Sequence, residues 1–382
     1  MISASPHQYR KIGLADGRSP ETIKRAIAQA QRAERNGVPA ILTLGHLAHV
    51  TGAEYLYLRS IISRAHDGYK PFKIRKRGGG GRLIAPPEPQ LLAVQRWISR
   101  NVLAQRPAHP SSMAYAGGSS PLNCAKRHVG ARWLLKFDIH DFFESIPEKR
   151  VYAVFRECGY QALIAFELAR LCTRVHSEYA TIPPRWRAER SHGSPMISAY
   201  NDKRIGHLPQ GAPTSPMLSN LVSRPMDTLF ADLAEASGLV YTRYSDDIIF
   251  STGEDMTRQG VRSLIGDVTR IFDAFGHVLH RKKITIAPPG ARKLVLGLLV
   301  DGDEVRLSRE YRDRVETHLR GIETFGLAEH AASRRFSSIW GMVRHIHGLA
   351  AHAKGVDASY GEALVERLSF SLAKQGWSQE SL

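Results

Sequence analysis

The feature that most constrains the fold is a pair of acidic sites, each placed where an apolar strand is predicted to end. Asp138 closes the run Trp133-Leu-Leu-Lys-Phe-Asp, and Asp246 and Asp247 lie between two β-rich runs about 108 positions later. The second arrangement is typical of a β-hairpin with acids at its tip. Adjacent aspartates repel one another unless a divalent cation neutralises them. We therefore expect a sheet that brings both sites together at a metal centre.

The acids also indicate which metal and which chemistry to expect. Hard carboxylate oxygens suit Mg²⁺, which keeps waters and substrate phosphates as its other ligands. Two such ions, roughly 3.5–4 Å apart, activate an attacking 3′-hydroxyl and stabilise a leaving pyrophosphate. For the Asp-Asp pair alone, a solvated turn is the alternative. As a metal centre, the pattern predicts two Mg²⁺ ions held by Asp138, Asp246 and Asp247.

The charge of the chain indicates its partner. A net charge of +17 over 382 residues is typical of a protein that meets a polyanion, because Lys and Arg release counterions from a phosphate backbone. No run approaches the roughly 18 apolar residues that a membrane span needs, and the N-terminus lacks an apolar signal core. We expect a cytoplasmic nucleic-acid-binding protein with no membrane association, in which the three cysteines are reduced thiols.

The order of predicted elements is that of an α+β protein. Residues 1–65 are predicted to be helical, with one helix starting at Pro20 and another over 47–65. A basic, Gly-rich hairpin near residue 78, further helices and the acidic hairpin follow. A helix over 215–236 is predicted to break or kink at Pro225, and 176–207 is predicted to be a long loop. The run 294–300 is strand-like, and three helices are expected over 308–324, 333–350 and 360–373.

Three motifs, in this order, carry a resemblance to a known family. The segment Phe137-Asp-Ile-His-Asp-Phe-Phe resembles the first catalytic motif of reverse transcriptases, and Tyr244-Ser-Asp-Asp resembles their Tyr-x-Asp-Asp box. Between them, Leu208-Pro-Gln-Gly-Ala-Pro-Thr-Ser-Pro resembles a motif specific to that class. The resemblance implies a right-hand polymerase fold, with fingers and palm over 66–290, a helical thumb over 291–382 and an N-terminal helical extension over 1–65.

The resemblance also implies roles for residues around the acids. Phe143 would exclude a ribose 2′-hydroxyl, and Gln210 would contact the nucleotide or the adjacent template. Lys76 and Arg82 match the positions that hold the triphosphate, where both side chains suit phosphate oxygens. Lys283 takes the Lys position of an Asn-x-x-Lys-Thr motif, where it would protonate or neutralise the leaving pyrophosphate. We expect Asp141 to be structural.

Other basic residues are candidates for contacting nucleic acid. Arg309, Arg312 and Arg320 recur at near-helical spacing in the predicted thumb, where a basic helix face would follow the template–primer backbone. The loop contains Arg185, Trp186 and Arg187, which suit stacking on unpaired RNA bases. This set is as consistent with a plain surface insertion.

The chain most resembles the bacterial retron-type enzymes. Cys124-Ala-Lys-Arg-His128 is similar to their Asn-Ala-x-x-His element, so that His128 is a candidate RNA contact, and Val295-Leu-Gly is similar to their Val-Thr-Gly. The departures at Cys124 and Leu296 leave a related defence-associated reverse transcriptase as an alternative.

The resemblance implies partners as well as an activity. They are a noncoding RNA that serves as template and primer, its DNA product (msDNA), deoxynucleoside triphosphates and an effector protein of antiviral defence. A non-catalytic RNA-binding scaffold is the alternative from another class, and the intact acids argue against it.

Overall fold

The computed structural model describes residues 6–75, 81–175 and 205–377. Its helices are α1 (Pro6–Ala15), α2 (Pro20–Arg35), α3 (Leu44–Thr51), α4 (Tyr55–Ile62), α5 (Pro89–Ile98), α6 (Pro121–Lys126), α7 (Glu148–Glu157), α8 (Ala162–Cys172), α9 (Ser215–Ala236), α10 (Arg258–Ala274), α11 (Arg309–Ser333), α12 (Ile339–Val356) and α13 (Ala358–Ala373). Its strands are β1 (Phe72–Arg75), β2 (Gly81–Ile84), β3 (Trp133–Asp138), β4 (Val240–Tyr244), β5 (Asp247–Thr252), β6 (Thr285–Ala287), β7 (Leu294–Val295), β8 (Leu298–Leu299) and β9 (Arg306–Leu307).

The central sheet has the strand order β4-β5-β3-β6, and every pair in it is antiparallel. Alternate residues of its strands enter two different cores. Phe137, Ile248 and Phe250 face the first core, where Phe250 packs against Phe230 of α9. Leu134 and Ile249 face the second core, which the C-terminal helices share. This helix-covered antiparallel sheet confirms the α+β class.

The N-terminal helices join the first core. Leu47 of α3, Leu58 of α4 and Leu91 of α5 are all buried in it, so the core continues across the predicted boundary near residue 65. The helix expected over 47–65 is instead two helices. α3 ends where Gly52 takes the left-handed conformation that glycine adopts without a Cβ clash.

Three other elements differ in detail from their expected form. α9 is one helix of 22 residues with Pro225 inside it, so the helix is not broken there. Burial of residues on both sides, such as Leu221 and Met226, offsets the lost backbone hydrogen bond. The strand-like run 294–300 is a tight hairpin of β7 and β8, whose turn places Leu296 and Gly297 at positive φ. α11 is interrupted at the non-helical Gly326, so its first part ends close to the predicted residue 324, and a short second helical part continues to Ser333.

A buried ion pair joins α9 to the strand before the acidic turn. Arg243 on β4 donates from Nε and Nη2 to the two carboxylate oxygens of Asp227, each at 2.7 Å, and both side chains are fully buried. Tyr241 donates its hydroxyl to Asp227 at 2.7 Å. Arg243 also donates to the backbone carbonyl of Ser245 at 3.2 Å. The pair therefore holds the turn that carries Asp246 and Asp247.

His128 lies inside the protein, which corrects its expected role as an RNA contact. Its side chain is 1% exposed, with Nδ1 2.6 Å from the Ser251 hydroxyl of β5 and Nε2 2.7 Å from the Thr242 hydroxyl of β4. Burial lowers the pKa of His128 to about 4, so the ring is neutral. A neutral ring donates one hydrogen bond and accepts the other, which ties the two strands of the acidic hairpin together.

The remaining sequence expectations concern the thiols and the membrane. Cys124, Cys158 and Cys172 are buried and free, as expected. No helix among the described residues is long and apolar enough to cross a bilayer. The predicted loop over 176–207 falls almost entirely outside the described residues.

We predict that Asp227→Ala lowers the free energy of unfolding by about 3–5 kcal/mol, because it leaves the buried Arg243 guanidinium without its carboxylate. The matched control is Glu362→Ala, which removes the carboxylate of a solvent-exposed pair with Lys354. That change costs less than about 1 kcal/mol. Urea denaturation of both variants measures the difference, and equal losses would contradict the role of the buried pair.

Candidate active site

The central sheet brings the predicted acids together at one end. In the register of β3 and β5, Asp138 lies directly opposite Asp247, which places the Cα atoms about 4.5–5.5 Å apart. The backbone N–H of Ile139 donates to the Asp246 carbonyl at 3.2 Å, which closes the same end of the ladder. Two sites about 108 residues apart in sequence therefore form one acidic cluster.

The turn that carries Asp246 and Asp247 is constrained on two sides. Ser245 has φ of 59°, a left-handed conformation that is uncommon for a residue with a Cβ. Arg243 holds its carbonyl from within the core, and the Tyr115 hydroxyl donates to the Ser245 hydroxyl at 2.9 Å. Such strained residues persist only where surrounding contacts determine them.

The electrostatics of the cluster favour a cation. Burial raises the pKa of the Asp246 carboxyl, and the charge of Asp138 raises it further. Burial likewise raises the pKa of Asp247, to which Asp246 and Asp138 add repulsion. Each carboxylate has lost part of its hydration and lies near others of the same charge, so a bound cation would stabilise all three.

Lys283 supplies one positive charge to the cluster. Its Nζ donates to Asp138 Oδ2 at 2.8 Å, and this hydrogen bond raises the pKa of Lys283. Lys283 is the last residue of a short 3₁₀ turn, Arg281–Lys283. His280, just before this turn, donates its backbone N–H to the Asp138 carbonyl at 2.9 Å, which holds the turn at the end of β3. The predicted lysine therefore contacts Asp138, one of the three predicted acids, although His280 replaces the family's Asn.

The three acids fit a divalent cation by the chemistry of their donors. Over 6–75, 81–175 and 205–377, no three His, Cys, Asp or Glu side chains are gathered as a ready-made metal site. At the acidic cluster, one Asp138 oxygen is directed at the Lys283 ammonium. The carboxylate oxygens that remain suit a hard cation that takes its other ligands from water and substrate.

Phe143 lies on the turn that follows β3. Its half-buried ring is 5.4 Å from the Phe142 ring and 6.5 Å from the Tyr115 ring. Asp141, two residues before Phe143, has φ of 48°, and its carboxylate accepts a hydrogen bond from His140 at 2.8 Å. This local bond is consistent with the structural role expected of Asp141.

Gln210 is attached to the end of the basic hairpin. Its carbonyl accepts a hydrogen bond from the Ala85 N–H at 2.8 Å, directly after β2. Gly211 has φ of 105°, and a Cβ there would lie 2.9 Å from an Ile84 methyl carbon. Glycine is therefore required for this close approach. Arg82 lies on β2 opposite Ile74, and Lys76 falls outside the described residues.

The predicted basic helix face is a set of ion pairs. Arg309 lies 3.7 Å from Asp313, and Arg320 lies 3.0 Å from Glu316. Arg312 pairs with Asp357 at 3.0 Å and covers the Tyr360 ring, with its guanidinium carbon 4.5 Å from the ring centroid. Arg312 therefore fastens α11 to α13. Arg185, Trp186 and Arg187 lie outside the described residues.

Two functional contributions were not recognised in the sequence. The Arg243–Asp227 pair supports the acidic turn, and a charged residue inside the apolar run of β4 was the available signal. Tyr115, which itself has φ of 66°, donates a hydrogen bond to Ser245 in the same turn. Nothing in the local sequence of Tyr115 indicated this contact.

Comparisons with known proteins agree with the geometry. Residues 74–298 match the family model described as Reverse transcriptase (RNA-dependent DNA polymerase). The chain is 27% identical to the Retron Ec86 reverse transcriptase of Escherichia coli over 345 residues, which covers 89% of this chain and 92% of that protein. It is 31% identical to the Retron Mx65 reverse transcriptase of Myxococcus xanthus, covering 87% of this chain and 73% of that protein.

A third relative, the Retron Mx162 reverse transcriptase of Myxococcus xanthus, is 31% identical over 75% of this chain and 59% of its own length. These matches favour the retron assignment over the alternatives, despite the departures at Cys124 and Leu296. The chain belongs to the reverse transcriptase family of RNA-dependent DNA polymerases, in the group of retron reverse transcriptases.

Proposed function

We propose that this chain copies a structured noncoding RNA into DNA by two-metal nucleotidyl transfer. The observation that supports the proposal is the convergence of Asp138, Asp246 and Asp247 at one end of the sheet, with Lys283 bound to Asp138 at 2.8 Å. Two Mg²⁺ ions bound by the three aspartates would activate the attacking hydroxyl and neutralise the leaving pyrophosphate.

The surrounding residues would orient the nucleotide. Phe143 would pack under the sugar, where a 2′-hydroxyl would meet its ring, so that deoxynucleoside triphosphates are the substrates. Lys76 and Arg82 of the basic hairpin would hold the triphosphate. Gln210, attached to that hairpin through Ala85, would contact the nucleotide or the adjacent template. Lys283 would donate a proton to the leaving pyrophosphate or neutralise it.

The partners of this function follow from the same resemblance. An RNA with unpaired segments would serve as template and as primer through a ribose hydroxyl, and the product would be an RNA-linked DNA (msDNA). Arg309, Arg320 and the loop with Arg185, Trp186 and Arg187 would contact the RNA backbone and bases. An effector protein would complete a cytoplasmic antiviral system. The units 1–65, 66–290 and 291–382 would act as N-terminal extension, fingers with palm, and thumb.

A direct test is primer extension on poly(rA) annealed to oligo(dT), with deoxythymidine triphosphate and Mg²⁺. We predict DNA synthesis by the wild type and none by the Asp246→Asn/Asp247→Asn variant, because amides cannot supply the anionic ligands. The absence of synthesis by folded wild type would contradict the proposal.

The same variant tests metal binding without activity. We predict that Mg²⁺ at 100 times its dissociation constant stabilises the wild type by about 2.7 kcal/mol and leaves the variant unchanged. Without metal, the variant is at least as stable as the wild type, because it lacks the buried and mutually repelling charges whose burial and repulsion raise the pKa of both aspartates. Thermal melts with EDTA and with Mg²⁺ measure both effects, and an equal Mg²⁺ shift in the two proteins would rule out this site.

Neighbouring lysines separate the role of Lys283 from general charge. We predict that Lys283→Ala lowers kcat on the order of 100-fold, as expected for the loss of a general acid. Lys282→Ala, one residue away and exposed, changes kcat little. Single-turnover primer extension measures both rates, and equal effects would remove Lys283 from the proposed mechanism.

Sugar selection tests Phe143. We predict that Phe143→Ala lowers the preference for deoxynucleotides over ribonucleotides on the order of tenfold or more, because space opens for the 2′-hydroxyl. Phe143→Tyr keeps the ring and serves as the matched control. The ratio of kcat/KM values for the two nucleotide types gives the result, and unchanged selectivity in Phe143→Ala would contradict this role.

A further inference from the structure

α11 turns back on itself at Gly326. That residue has φ of 82° and ψ of 170°, values outside the helical region. His318 Nδ1 lies 3.1 Å from His330 Nε2, although 12 residues separate them. A straight helix would place those residues about 18 Å apart. The helix is therefore two arms, 309–325 and 327–333, that pack against each other at a sharp corner.

Two features fix the corner. Gln375 accepts a hydrogen bond from the Leu327 N–H at 2.8 Å and donates to the Ile322 carbonyl at 3.2 Å, so it satisfies backbone groups on both sides of the break. Gly321 allows the close packing, since a Cβ there would overlap the His330 ring. These contacts fix the angle between the two arms of α11, and they therefore fix the shape of the space between the arms.

The arms enclose an open cleft of about 550 Å³. Its walls are basic, hydroxylic and aromatic, and the lining includes Thr317, Arg320, Thr324, Phe325, Ser333 and Arg334. Glu329 is the one acidic residue in the lining, against two arginines. The Phe325 side chain is exposed, with 63% of its surface in solvent.

This lining has the chemistry of a nucleotide site. An exposed aromatic ring offers a stacking surface to an unpaired base, and arginines beside it bind phosphate oxygens. The hydroxyls of Thr317, Thr324 and Ser333 can hydrogen-bond base edges or a ribose 2′-hydroxyl. The bases of a duplex stay stacked on one another, whereas an unpaired base is free to stack on an aromatic ring, so a single extruded nucleotide fits best.

We propose that the cleft at the corner of α11 binds one unpaired nucleotide of a single-stranded RNA segment. The base stacks on Phe325, and Arg320 and Arg334 contact the flanking phosphates. Arg320 is already oriented by Glu316 at 3.0 Å, which lies one helical turn before it. The inference rests on the proposed function only in taking RNA as the partner, and it adds a site remote in sequence from the catalytic acids.

Photo-crosslinking tests the site directly. The probe is a short single-stranded RNA containing 4-thiouridine, irradiated with the full-length protein, with crosslinked peptides mapped by mass spectrometry. We expect a crosslink within 317–334 whose yield falls about tenfold in Phe325→Ala, because base–aromatic stacking is lost. Arg334→Ala lowers the same yield. The matched control is Phe370→Ala, which removes a similarly exposed ring of α13 outside the cleft lining and leaves the yield unchanged.

Three results would overturn the proposal: equal yields in Phe325→Ala and Phe370→Ala, crosslinks only outside 317–334, or full competition by adenosine monophosphate, which would indicate a free-nucleotide site. Extension of oligo(dT) on poly(rA) separates this test from that of the proposed function. Phe325→Ala retains extension if only the cleft is lost. If the wild type crosslinks within the cleft but never extends the primer, the proposed polymerase function is contradicted and the proposed nucleotide site in the cleft is retained.

Discussion

The buried pair of Arg243 and Asp227 is the interaction on which the catalytic end of the sheet depends. Asp227 on α9 binds the guanidinium through both oxygens, and the same guanidinium reaches the carbonyl of Ser245 at 3.2 Å. A buried charge of this kind is stable only when its partners are complete. The position of the turn is therefore coupled to the packing of α9 against β4, and His128 adds a second tie between β4 and β5.

At the end of the sheet held by these contacts, the protein concentrates negative charge. Burial and mutual repulsion raise the pKa values of Asp246 and Asp247, and Lys283 offsets the charge of Asp138. The burial and repulsion of these carboxylates thus favour a bound cation, although the net charge of the whole chain is +17. Such a distribution attracts a polyanion to the basic surface and a cation to the acidic cluster.

The residues of the acidic cluster were recognisable in the sequence, whereas the residues that hold the cluster in place were not. Asp138, Asp246 and Asp247 were recognisable because acids at the ends of apolar strands have few structural uses. His128 was misassigned because a motif shows residue type but not the direction of a side chain. The continuity of α9 through Pro225 and the reversal of α11 at Gly326 depend on tertiary packing, which local propensity does not include. Arg312 belongs to the same predicted basic helix face as Arg309, but it forms an ion pair with Asp357, about 45 positions later in the sequence.

The central claim is that this chain converts a specific RNA into DNA at the Asp138–Asp246–Asp247 cluster. The most direct measurement is to purify the protein from its native locus and sequence the nucleic acid that accompanies it, beside an Asp246→Ala/Asp247→Ala protein. The account predicts one discrete RNA with both proteins, and a complementary DNA joined to it with the wild type alone. The same RNA on both proteins, with DNA on neither, would contradict the account and leave an RNA-binding scaffold.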